Sequence, residues 1–255
     1  MLQVLVLIVA VAAAAQEADW EKLMDAAGRA YKEGRYAEAE QQFQQALALA
    51  EKFGPNDPRL ATNLTGLADV YYGQGKYEAA EPLYQRALAI REKALGPEDP
   101  MVAASLNDLA VLYHTQGKYE AAEPLYQRAL TIREKALGLE HTDVAQSLNN
   151  LATLYSAQAN YAAAEPLYQR ALAIWEKALG PEHADVAQSL NGLANLYYAQ
   201  AKYEAAEPLY QRALAIWEKA LGREHSDVAT GLNNLANLYY AQAQYEAAEP
   251  LYQRV

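Results

Sequence analysis

The string Ala-Glu-Pro-Leu-Tyr-Gln-Arg begins at Ala80, Ala122, Ala164, Ala206 and Ala248, each copy 42 residues after the last. A second block keeps the same step: SLNDLAVLY from Ser105, SLNNLATLY from Ser147, SLNGLANLY from Ser189 and GLNNLANLY from Gly231. Diverged copies precede it at Asn63 (NLTGLADVY) and Lys22 (KLMDAAGRAY). Such a period constrains the fold strongly, because each copy must form the same local unit and bury its apolar face against its neighbours. Six units result, at roughly 20–57, 58–99, 100–141, 142–183, 184–225 and 226–255, and the last is incomplete.

Each unit reads as two helices. Leu148, Leu151, Ala152 and Tyr155 fall at i, i+3, i+4 and i+7, one face of a helix. Tyr161, Ala164, Tyr168, Ala171, Leu172 and Trp175 form the matching face of a second. Gly96, Gly138, Gly180 and Gly222 sit where a helix end takes positive φ, and Asp57-Pro58 and Asp99-Pro100 are start signals for the next helix. Pro82 and its equivalents must lie in the first or second turn of the second helix, since proline deep in a helix costs about 3 kcal/mol. Small residues such as Ala152 and Ala164 let paired helices approach, and tyrosines fill the space between hairpins. The expected fold is an all-α solenoid.

Composition narrows the function. The formal net charge is −11 and no basic stripe is present, which argues against nucleic acid as a partner. The absence of cysteine excludes disulfides, thiol catalysis and thiolate metal sites. The opening MLQVLVLIVAVAAAAQE is an uncharged apolar run of signal-peptide length that closes on Ala13-Ala14-Ala15. Residues 1–15 are therefore expected to be a cleaved signal peptide, giving a secreted or periplasmic protein with no membrane insertion in its mature form; without cleavage the protein is cytoplasmic.

At SLNNLATLY, GKYEAAEPLYQRALAIREKALG and the acidic connector with DVA, the chain resembles the tetratricopeptide repeat family, in the 42-residue form of kinesin light chains and many bacterial proteins. The resemblance covers about residues 20 to 255. It implies a right-handed superhelix of six helix-turn-helix units whose concave groove, lined by the first helix of each pair, binds peptides. It also implies groove positions: Asn107, Asn149, Asn191 and Asn233, then Val111, Thr153, Asn195 and Asn237, then His114, Ser156, Tyr198 and Tyr240. Asn carries both a donor and an acceptor and can pair with a peptide amide. With hairpins about 10 Å apart and an extended chain rising about 3.3 Å per residue, one Asn per repeat would grip every third residue. The turn glycine of Gly75 and Gly117 becomes Ala159, Ala201 and Ala243, so that turn must tolerate a Cβ.

Two features imitate sites. Glu140-His141-Thr142-Asp143 recurs at Glu182 and Glu224, but one copy per repeat cannot converge on one ion, and each aligns with the Asp57 and Asp99 connectors, which favours capping over a metal site. Trp175 and Trp217 replace Arg91 and Arg133 in phase and are expected to pack between repeats. No residue is placed as an activated nucleophile, and no cofactor is implied. The expected function is a non-enzymatic scaffold for a protein or peptide partner. The alternatives are a self-assembling solenoid, joined as a homo-oligomer through its C-terminal end, or a fragment of a larger signalling or regulatory protein.

Overall fold

The computed structural model describes residues 2–255, with side chains from residue 14 onward, so most of the expected signal segment lies outside the described side chains. Among the described residues there are twelve α-helices, one short 3₁₀ turn (Glu51–Phe53) and no strand. The first helices of the pairs are α1 (Leu2–Lys32), α3 (Pro58–Gly73), α5 (Pro100–Thr115), α7 (Thr142–Ala157), α9 (Ala184–Ala199) and α11 (Ser226–Ala241). The second helices are α2 (Tyr36–Ala50), α4 (Tyr77–Leu95), α6 (Tyr119–Leu137), α8 (Tyr161–Leu179), α10 (Tyr203–Leu221) and α12 (Tyr245–Tyr252).

Two compact units divide the chain, Met1–Ile132 and Arg133–Val255. In the first, α1 packs on α2, α2 on α3, α3 on α4 and α4 on α5, while Val102 and Leu106 of α5 meet Ala129 and Ile132 of α6. In the second, α7 packs on α8, α8 on α9, α9 on α10, α10 on α11 and α11 on α12. Alanine sets the spacing. Ala152 and Ala164 are fully buried where α7 crosses α8, and Tyr168 extends from there to Leu193 and Leu196 of the next hairpin. Each fully buried leucine contributes about 1.5–3 kcal/mol.

Local signals place the helix ends. Asp57 and Asp99 cap α3 and α5, accepting from the backbone N–H of Arg59 and Met101, with Pro58 and Pro100 in the first position. His141, His183 and His225 take that place on α7, α9 and α11, their Nδ1 accepting from the N–H of Asp143, Asp185 and Asp227 at 3.1, 3.3 and 3.2 Å. Pro82 sits in the second turn of α4, so the only intrahelical bond it removes is the one to the Glu78 carbonyl.

The turn within each hairpin requires a left-handed residue. Gly75 and Gly117 have φ of 73° and 72° there, and Ala159, Ala201 and Ala243 adopt 57°, 55° and 60° despite carrying a Cβ. A left-handed L-residue costs about 1–2 kcal/mol. Part of that is recovered because alanine loses less chain entropy than glycine on folding. Ala201→Gly is therefore expected to raise stability by about 0.5–1 kcal/mol, and Gly75→Ala to lower it by a similar amount, in urea titrations followed by circular dichroism.

Candidate functional site

The near-invariant block reads out as contacts between hairpins. Tyr113 donates to Glu81 at 3.0 Å and accepts from Gln85 at 3.0 Å. Tyr239 meets Glu207 and Gln211 in the same way, each at 3.0 Å. The arginine of the block reaches back one repeat, Arg128 to Glu92, Arg170 to Glu134 and Arg212 to Glu176, each at 2.6 Å. These half-exposed ion pairs are each worth about 0–1 kcal/mol, so the block mainly fixes register between hairpins.

The predicted groove residues fall into two groups. Asn149 is buried, and its side-chain carbonyl accepts from the Ser189 hydroxyl at 3.1 Å. Asn191, half-buried, accepts from Asn234 at 2.9 Å. Both therefore join neighbouring first helices. Asn107 and His114 are half-buried on α5. By contrast Asn195, Asn233 and Tyr240 are exposed, with Asn237 and Tyr198 half-exposed beside them. Tyr198 packs against Tyr203 with centroids 5.5 Å apart, and Tyr240 against Tyr245 at 5.2 Å.

A bond within each hairpin orients this second group. Tyr210 donates to the Asn195 side-chain carbonyl at 2.6 Å, and Tyr252 to that of Asn237 at 2.6 Å. The amide oxygen thus turns toward the second helix and the NH₂ group away from it. Thr153 holds the same place on α7, with its hydroxyl 3.0 Å from that of Tyr168. Sequence reasoning assigned the asparagines but not their tyrosine partners. The available signal was the constant separation of 15 residues between the two.

The first unit carries a charged version of this arrangement. Tyr84 donates to Asp69 at 2.6 Å. Burial pushes the Asp69 carboxyl above its usual range, although the Tyr84 bond and Arg91 pull the other way. Burial and then the Asp69 charge raise the Tyr84 phenol far above its ordinary value. Burial lowers Arg91, while Asp108 and Asp69 oppose the shift. The Arg91 guanidinium donates to Ser105, and Arg133 likewise donates to Ser147 at 2.8 Å.

Trp175 and Trp217 stand in phase with these arginines and are buried. Where tryptophan enters, Ser189 bonds Asn149 instead, and the next serine becomes Gly231, where a Cβ would lie 3.2 Å from the Trp217 ring. The tryptophans pack between hairpins and do not form an open cage. The three capping histidines each direct the Nδ1 lone pair at a backbone N–H, which leaves it unable to bind a metal. Among the described residues no three His, Asp or Glu side chains gather at metal-binding distance, and no helix is long and apolar enough to cross a membrane.

Asp69 generates a pH prediction. With its native pKa raised, the folded state holds more proton than the unfolded chain between the ordinary carboxylate range and that raised value, so stability falls as pH rises through that window. Asp69→Asn keeps the acceptor for Tyr84, as Asn195 does for Tyr210. It is expected to raise the urea midpoint at pH 7 and to flatten the fall in stability as pH rises above the ordinary carboxylate range.

Comparison with known proteins supports the architecture. The model of the tetratricopeptide repeat family matches residues 23–93, 60–135, 101–177, 143–219 and 198–255. No curated protein matches the chain. Among solved structures, BtubC (BKLC) from P. vanneervenii is 26% identical with a TM-score of 0.67, over 94% of this chain and 89% of that one. A putative kinesin light chain from Podosopora anserina, with nearly identical TPR-like repeats, is 28% identical with a TM-score of 0.65, over 78% of this chain and 95% of that one. PilF from Pseudomonas aeruginosa shares the fold at 18% identity, with a TM-score of 0.61 over 93% of this chain and 90% of that one.

Proposed function

Because the chain belongs to the tetratricopeptide repeat family, we propose that it is a non-catalytic scaffold binding an extended peptide or protein segment along its first helices. The observation that carries this reading is the pair Asn195 and Asn237. Each has its amide oxygen held by a tyrosine hydroxyl, so its NH₂ group is oriented in advance to donate to a peptide carbonyl. Asn233, Tyr198 and Tyr240 add polar and aromatic surface on the same helices. Recognition of backbone carbonyls places few demands on the partner's side chains.

The joint substitution Asn195→Ala and Asn237→Ala tests it. Two lost hydrogen bonds at about 1 kcal/mol each predict a fall of about tenfold or more in affinity for partners captured by the wild-type chain. The circular dichroism spectrum and the melting curve should change little. Affinity equal to wild type sinks the reading.

A second reading, association between copies, is favoured by one surface. Tyr240, Tyr245 and Tyr252 line an exposed cavity of about 400 Å³ with Ala248, Glu249 and Gln253. Light scattering on residues 16–255 separates the two readings, since a monomer mass across a hundredfold range of concentration excludes assembly. Export with cleavage before Gln16 is proposed on the apolar run that closes on Ala13-Ala14-Ala15. Gln16 itself bonds the Leu49 carbonyl at 3.0 Å, so the anchoring of α1 to α2 would survive cleavage. The mass of the N-terminal peptide from secreted protein checks it.

A further inference from the structure

The histidine caps share one property that the aspartate caps lack. An imidazole accepts through Nδ1 only when neutral and protonated on Nε2. Asp57 and Asp99, which cap α3 and α5 in the first unit, accept as carboxylates. His141, His183 and His225, which cap α7, α9 and α11 in the second, accept only without a proton on Nδ1. A proton there sets two donors against each other and places a positive charge at the positive end of the helix dipole.

A new partner lies close to each ring. Asp143, Asp185 and Asp227 carry carboxylate oxygens 4.0, 3.5 and 3.6 Å from the Nδ1 atoms of His141, His183 and His225. The other charged groups around the first two connectors are already engaged. Lys177 pairs with Glu140 and Lys219 with Glu182, each at 2.5 Å. Arg133 donates to the Asp143 carbonyl, while Arg170 and Arg212 reach the Leu139 and Pro181 carbonyls. The third connector carries Arg223 and Glu224 beside His225. A protonated ring thus loses the backbone N–H and gains the adjacent carboxylate.

We infer that the first turns of α7, α9 and α11 form a proton-operated element, capped while each imidazole is neutral and released once it takes a proton on Nδ1, while α3 and α5 stay capped. The chain's own sequence supplies the control, because the same connector position carries aspartate in one unit and histidine in the other. Each release frees the first turn of a helix that also carries Thr153, Asn195 or Asn237 further along its length.

The test is amide hydrogen exchange by NMR on the full chain between pH 7.5 and 5.5, corrected for the intrinsic pH dependence of exchange. The expected result is a rise of about fivefold to tenfold in opening at the amides of Asp143, Asp185 and Asp227, the size of a lost N-cap, with the amides of Arg59 and Met101 unchanged. The ring nitrogen shifts of the three histidines should show the Nε2-H tautomer at pH 7.5. The triple variant H141D/H183D/H225D should abolish the rise while keeping the wild-type spectrum elsewhere. An equal response in all five first turns, a response that persists in the triple variant, or the Nδ1-H tautomer at neutral pH would each overturn it.

Discussion

A helical hairpin of this type cannot bury its own apolar surface. Ala164 meets Ala152 across one pair, but Tyr168 on the same helix finds its apolar contacts on Leu193 and Leu196 of the next pair. Burial is worth about 25 cal/mol per Å² of apolar area, and a lone hairpin leaves the outer half of its second helix in water. Within each unit every pair therefore depends on the one that follows it.

That dependence explains why one block recurs so faithfully. In Ala-Glu-Pro-Leu-Tyr-Gln-Arg, the alanine sets the helix spacing and the tyrosine spans hairpins. The glutamate and glutamine hold the next hairpin's tyrosine, and the arginine reaches back one repeat. Arg91 and Arg133 reach serines on the following helix; where Trp175 replaces the arginine, Ser189 bonds Asn149 instead, and where Trp217 replaces it the serine has become Gly231. A buried guanidinium needs hydrogen-bond partners and an indole needs volume, so the two place different demands on the facing helix.

The candidate binding surface follows a different logic. Its asparagines are chemically alike in sequence, yet Asn149 and Asn191 join adjacent helices while Asn195 and Asn237 keep an NH₂ group free of the tyrosine that holds their oxygen. Register along a helix tells which face a residue occupies. It does not tell whether a neighbour 40 or 43 residues away will take its amide.

The sequence by itself determined the helix pairs, their ends and the identity of the repeat. Those rest on local causes, such as the 3.6-residue period, caps at the connectors and a turn position that alanine occupies in the left-handed region. It also assigned the histidines to capping, since they aligned with Asp57 and Asp99. Only the tertiary structure decided which polar side chains are consumed between hairpins and which stay available. Hydrogen bonds between residues one repeat apart depend on how closely the hairpins pack, and that distance is set by the buried alanines, tyrosines and tryptophans acting together.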